Sequence, residues 1–471
     1  MKYILSITLF LFLSLVSISQ HQELQEIPKI WQNDLKNNPD STNILSAFKS
    51  GKVNGHFRYF SSSIINKGNL TDYYANAVGG GLRFETGSFH GVTLGISGFY
   101  IFNVASSDLS KKDVVSGQSN RYEIGLFDVS KPDDLSEINR VEELYVRYQT
   151  PQTKITFGRQ LLNTPFINLQ DGRIRPTAVE GVWIEKNIQN GHTFQLGWLY
   201  NIAPRSTRIW YDIKDSFGVY PTGVNENGTK SNYQGNVNTN GVLLSNYQYK
   251  NKKNLTLNIW NMWVENVMNT TLFQVDKEWP ITNGKIYVGG QTSMQMKSGN
   301  GGNESVENRY YTNTKKVFIF GGRLGWKNPS WDHSLNFNRI TSGGRYLIPR
   351  EWGRDYFYTF MPRERNEGFG DVFAFAYKSN YNLSKKTSVQ MALGVFLLPD
   401  IKDYTLNKYG MPSYSQFNLD FRHKFSGLLQ GLEGQLLYVL KSNVGETYED
   451  PRYIIHKVDM HLFNVVFNFR F

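Results

Sequence analysis

The stretch Phe463-Asn464-Val465-Val466-Phe467-Asn468-Phe469-Arg470-Phe471 decides the fold. Read as an extended strand, it puts Phe463, Val465, Phe467, Phe469 and Phe471 on one face and Asn464, Val466, Asn468 and Arg470 on the other. One face therefore suits hydrocarbon and the other suits water, and the strand ends on an apolar-face aromatic.

The same two-faced alternation runs upstream. Phe417, Leu419 and Phe421 oppose Asn418, Asp420 and Arg422; Leu255, Leu257 and Ile259 oppose Thr256, Asn258 and Trp260; Leu144, Val146 and Tyr148 oppose Glu143, Tyr145 and Arg147. The uncharged window Gly87 to Ser107 is a poor spanning helix, because His90, Thr93, Gly95, Ser97, Gly98 and Asn103 interrupt it. With period two, Val92, Leu94 and Ile96 share one face and Thr93, Gly95 and Ser97 the other. A soluble sandwich also carries such strands. It does not carry about 18 of them at about ten residues each, the length that crosses a bilayer when tilted.

The links between these segments alternate in length. Thr150–Gln152, Ile188–Gly191, Lys250–Lys252, Pro280–Asn283, Asn328–Ser330 and Ser426–Leu429 are short. Ala105–Arg140, Arg159–Pro176, Pro204–Asn238, Ser298–Asn313 and Gly343–Gly370 are long. Short periplasmic turns and longer extracellular loops produce this rhythm. The expected fold is therefore all-β, a transmembrane antiparallel β-barrel in the bacterial outer membrane, with the apolar faces toward lipid. A terminal Phe on an alternating strand is the address read by barrel-assembly machinery, so Phe471 is the expected contact with that partner.

Composition agrees. The chain has 28 Tyr, 31 Phe and 42 Gly, yet its mean hydropathy is −0.44, as expected when lipid-facing and lumen-facing residues alternate. Met1-Lys2, the apolar run Tyr3 to Val16 and Ser17-Ile18-Ser19 read as a secretory leader over residues 1–19. Residues 20–50 read as a periplasmic lead-in, partly helical, and residues 51–471 as the barrel. Losing Lys2 with the leader takes the formal net charge from +11 to +10. That excess is scattered, with no basic run, so nucleic acid is not an expected partner. There is no cysteine, which removes disulfides and thiolate metal sites; no cofactor is expected.

Gly158-Arg159-Gln160-Leu161-Leu162-Asn163-Thr164-Pro165, then Asp171-Gly172-Arg173-Ile174-Arg175-Pro176 and Glu180-Gly181-Val182, resembles the third, constricting loop of OprD-type porins. Pro349-Arg350-Glu351-Trp352-Gly353-Arg354 and Arg363-Glu364-Arg365-Asn366-Glu367-Gly368 resemble a second loop of that family, and Gly51 to Phe60, with Arg58, its first strand. The resemblance implies a barrel of about 18 strands narrowed by infolded loops, with an arginine ladder facing small anionic or carboxylate solutes. Guanidinium stays charged and meets a carboxylate bidentately, so a row of them relays an anion without trapping it. The positions carried over are Arg58, Arg159, Asp171, Arg173, Arg175, Arg350, Arg354, Arg363 and Arg365. For each of them a loop-to-wall ion pair is the competing role. No Asp or Glu set matches the family's acidic wall, and oligomeric state is left open between monomer and trimer.

Other function classes are weighed on the same residues. None of the eight His sits in a motif with a Ser, so nucleophilic hydrolysis lacks its base and no enzyme is expected. His456 and Asp459 differ in parity and do not make a metal site on one strand face. Gly79-Gly80-Gly81 and Gly289-Gly290 precede no helix and read as strand-bending residues, not phosphate loops. A plugged active transporter needs 22 strands and a plug larger than residues 20–50. The remaining alternative is a surface receptor or adhesin working through its long loops; an open pore in conductance measurements separates the two.

Overall fold

The computed structural model describes residues 29–31, 40–133, 138–169 and 173–471. The expected leader, residues 1–19, and Asp171 lie outside the described residues. After a short helix, α1 (Ile44–Lys49), come β1 (Lys52–Ile65), β2 (Tyr73–Glu85), β3 (Val92–Ser106), β4 (Ile138–Gln149), β5 (Thr153–Gln160) and β6 (Ala178–Ile188). Next are β7 (His192–Ala203), the short β8 (Tyr211–Asp212), β9 (Val242–Lys250), β10 (Leu255–Val264), β11 (Met268–Ile281), β12 (Gly284–Lys297) and β13 (Val317–Lys327). The series ends with β14 (Trp331–Ile340), β15 (Val372–Asn382), β16 (Thr387–Leu397), β17 (Tyr414–Lys424), β18 (Leu432–Asn443) and β19 (Met460–Arg470).

β1 pairs antiparallel with both β2 and β19, so the sheet closes and no ladder edge is left to face lipid. Apart from β8, which only extends the side of β7, the wall is an 18-stranded antiparallel barrel. The alternation read from the sequence is its inside-outside code. Phe463, Phe467, Phe469, Leu419 and Phe421 are exposed on the outer wall, whereas Asn464, Asn468, Asn418 and Asp420 are buried inside. Trp331, His333 and Tyr381 stack on the outer face beside the short link at 328–330, an aromatic belt of the kind found at membrane-water boundaries.

One rim holds the short links and both ends of the barrel. The other carries the second loop (107–137), third (161–177), fourth (204–241), sixth (298–316), seventh (341–371), eighth (398–413) and ninth (444–459). The glycine runs have a different role from the bends expected of them. A Cβ at Gly79 or Gly81 would overlap the Phe99 ring, and one at Gly289 would crowd Asp276, Tyr358 and Arg323. These glycines make room for lumen side chains of neighbouring strands and loops.

Phe471 does more than end the chain on an aromatic. Its carbonyl accepts from Gly55 N at 2.8 Å and its N–H donates to Gly55 O at 3.1 Å, while its ring stacks against Phe57 with centroids 6.1 Å apart. Deleting Phe471 is thus expected to lower surface levels in cells and to cost about 1–3 kcal/mol on refolding in detergent, the scale of two backbone hydrogen bonds. Immunodetection of surface protein and denaturant midpoints check this; unchanged surface levels would refute the assembly role.

An 18-stranded wall encloses more space than its own side chains fill. Here infolded loops occupy it. Leu162, Phe166 and Ile167 of the third loop pack with Phe217 of the fourth and Tyr346, Trp352 and Phe357 of the seventh into one apolar cluster inside the barrel. The third loop enters the lumen because these side chains need cover that the outside of a two-strand link does not offer.

Candidate pore and its constriction

The plug of loops is held by complementary backbone and side-chain bonds. Asn168 of the third loop donates through Nδ2 to Arg354 O at 3.0 Å and accepts at Oδ1 from Arg354 N at 3.0 Å. Glu351 accepts at Oε1 from Gly218 N and Tyr220 N at 3.0 and 2.9 Å, and Trp352 Nε1 donates to Ser216 Oγ at 3.0 Å. The third, fourth and seventh loops are therefore stitched into one body around the space they leave.

That space is a cavity of about 1000 Å³, running from Tyr404 and Arg452 in the outer loops to Arg422 and Gln435 on the wall. Among the described residues its lining includes nine arginines and three lysines but only two carboxylates, Asp215 and Glu364. Burial pushes the Glu364 carboxyl well above the usual carboxylate range, and Asp355 beside it adds to the shift. Of the two, only Asp215 sits outside such a buried acidic pair. Burial pulls the Arg173 and Arg205 guanidiniums down to about 10, which still leaves them charged at neutral pH. The lining is accordingly rich in cationic side chains, and low-dielectric surroundings strengthen the field of each.

The structure separates the sequence-predicted residues into groups. Arg173, Arg350, Arg354, Arg363 and Arg365 line the cavity together. Arg350 is also tied, its Nε donating to Glu367 Oε2 at 2.6 Å with the guanidinium 3.3 Å from the Tyr409 ring. Arg363 bonds Asn464 on β19 and lies near Tyr122, and Arg365 donates to Gly353 O at 2.7 Å. Arg58 is buried on β1 with its guanidinium 5.3 Å from the Phe60 ring, and it is not among the cavity-lining side chains.

Two placements correct the expected ladder. Arg159 shares the parity of the exposed Phe157 and points outward, pairing with Glu180 at 3.2 Å and lying 4.6 Å from the ring of Trp210. The Trp210 indole is itself anchored to Val141 O on the outer wall. Arg175 turns to the wall, where its Nε donates to both oxygens of Glu142 at 2.9 and 2.8 Å. Glu142 is fully buried and also receives Arg140 Nη2 at 2.9 Å, so Arg175 braces the loop and does not line the cavity. Asp171 lies outside the described residues.

Seven cations on this cavity had no motif to mark them, four of them from four different loops. Arg121, Arg205, Lys408 and Lys457 come from the second, fourth, eighth and ninth loops. Lys408 is buried, with Nζ 3.3 Å from Tyr233 OH and 4.6 and 4.8 Å from the rings of Tyr233 and Tyr310. Burial pulls both lysines down to about 7. His456 and Asp459, expected on one strand, precede β19 in the ninth loop, and no metal-binding group forms among the described residues.

Comparison with known proteins agrees with this geometry. No curated protein matches the sequence. Among solved structures, the chain is similar to OpdK of Pseudomonas aeruginosa with vanillate, at 12% identity and a TM-score of 0.67, covering 90% of this chain and 99% of that one. It is similar in the same way to OccAB1 of Acinetobacter baumannii, at 12% identity and a TM-score of 0.68, covering 90% and 97%. At that identity the likeness concerns the fold. The model of the outer membrane porin, OprD family, matches residues 83–327, more than half of the chain. With the closed barrel and its loop-narrowed lumen, that match places the chain in the OprD family of outer membrane porins, passive channels of the bacterial outer membrane and not enzymes.

Proposed function

We propose that this porin passes small hydrophilic solutes bearing carboxylates, selected at a constriction whose positive charge comes from Arg173, Arg205, Arg350, Arg354, Arg363 and Arg365. The observation that carries the reading is the charge imbalance of the cavity, twelve cationic side chains against two carboxylates. A guanidinium row offers successive bidentate sites of similar strength, which lets an anion advance without a deep trap. The vanillate bound to the structurally similar OpdK supports trying aromatic carboxylates among the substrates.

The test is reversal potential in a salt gradient, with uptake of a carboxylate panel including vanillate into liposomes. Anion preference and faster uptake of carboxylates than of matched neutral solutes are expected. Equal rates and a cation-selective channel would refute the reading.

Two of the lining lysines add a pH dependence. With values near 7, Lys408 and Lys457 are charged below that pH and neutral above it. Anion preference should therefore fall as pH rises through neutrality, and comparing reversal potentials about one unit either side of it measures the loss. Lys408 faces Glu367, Glu351, Arg345 and Arg350, so the change at this site is the loss of one positive charge amid a mixed set. Identical potentials at both pH values would show that neither lysine contributes to selection.

A further inference from the structure

Trp31, which precedes the barrel in sequence, lies inside it. The ring is buried and meets His56 edge-on, with centroids 6.4 Å apart. Its Nε1 donates to Glu143 Oε2 at 2.9 Å, and the Arg175 guanidinium carbon lies 5.3 Å from the ring. His56 and Glu143 face the lumen from β1 and β4, and both are buried. Asp40, by contrast, is already at the short-link rim, where its carboxylate accepts from Ser88 Oγ and Gly91 N. Phe48 of α1 stacks on Phe84 and is exposed. Trp31 thus lies within the barrel, and Asp40 at its short-link rim.

We propose that Trp31 is a positioning residue for the constriction: held in the lumen, it seats the Arg175–Glu142 brace from below and so keeps the third loop, with Arg173, in place. The inference rests on the constriction reading above. Arg175 has aromatic rings from two sources beside it, Trp31 and Phe99, the latter at 4.2 Å. Such desolvated cation–π contacts fix the plane of a guanidinium that a carboxylate alone would leave free to pivot. The indole N–H also occupies Glu143, whose other partners are Ser97 Oγ at 2.8 Å and Arg83 Nε at 3.7 Å. Removing Trp31 therefore loosens the brace and returns part of a carboxylate to the lumen.

These two consequences separate in experiment. Single-channel recordings in planar bilayers would compare the full chain with Trp31→Ala, Trp31→Phe and the double variant Trp31→Ala/Glu143→Gln. Trp31→Ala is expected to make sub-conductance excursions about tenfold more frequent, equivalent to about 1.4 kcal/mol in the loop equilibrium, and to shift reversal potential toward cations. Trp31→Phe keeps a ring on Arg175 but lacks the N–H, so it should restore quiet conductance while keeping the shift. The double variant should stay noisy and lose the shift. Denaturant midpoints of the two single variants should match the parent, because neither touches a strand. Parent-like noise and potential in Trp31→Ala would overturn the proposal, as would a Trp31→Phe channel as noisy as the alanine variant. Failure of the constriction reading itself would appear separately, as a parent channel without anion preference.

Discussion

Glu142→Ala is expected to destabilise the barrel by about 3–5 kcal/mol, the cost of leaving buried cations without their counter-charge. Its carboxylate is fully buried and accepts from Arg175 Nε twice and from Arg140 Nη2. Those two arginines are what tie the infolded loops to β4. Arg140 also donates to Pro176 O at 2.8 Å and Pro204 O at 3.0 Å, at the ends of the third and fourth loops. The substitution thus strands two guanidiniums in a space too small to hydrate them, and frees the loops they hold. Glu142→Gln keeps the volume and an acceptor oxygen, so it should cost less than the alanine change. Denaturant midpoints in detergent micelles measure both, and an alanine variant within about 1 kcal/mol of the parent would mean that water reaches the site and the brace is not a dry one.

Arg173→Ala/Arg363→Ala is expected to lower the ratio of carboxylate to cation flux about tenfold, a change of about 1.4 kcal/mol. Both side chains line the cavity and each bears on the other's charge. A unit charge about 10 Å from a passing ion contributes roughly 1–2 kcal/mol at an effective dielectric near 20, and salt with a Debye length of about 8 Å screens part of it. Two such charges removed from a set of twelve should therefore be visible without abolishing conduction. Arg159→Ala is the matched control. It removes a cation of the same motif that faces outward onto Glu180 and Trp210, and should leave selectivity unchanged. A double variant that selects like the parent would make Arg173 and Arg363 braces, and the carboxylate reading would fail with them.

One sequence motif here covers three environments. Arg159, Arg173 and Arg175 stand within one loop signature, yet they end on the outer wall, the cavity and a buried carboxylate. For Arg159 the sequence did hold the signal, since Phe157 two residues earlier carries the apolar parity and β5 continues through Gln160. For Arg175 it did not, because its partner Glu142 sits on a different strand and nothing local joins them. Arg121, Arg205, Lys408 and Lys457 come from four separate loops with no shared spacing, so only their convergence marks them.

By itself the sequence determined the wall: which residues face lipid and which face the lumen, how the links alternate in length, and that the end strand finishes on an outward aromatic. That information is local, since a strand's two faces meet different media and every second residue must declare which one it meets. Tertiary structure alone decided the pore. Which cation braces a loop on a buried carboxylate, which lines the cavity and which is turned outward depends on where the long loops return across the barrel. Those returns are settled by contacts such as Asn168 with Arg354, Arg175 with Glu142 and Trp31 with Glu143. A buried charge must find its counter-charge wherever the fold supplies one, and the intervals between these partners in the chain follow no period.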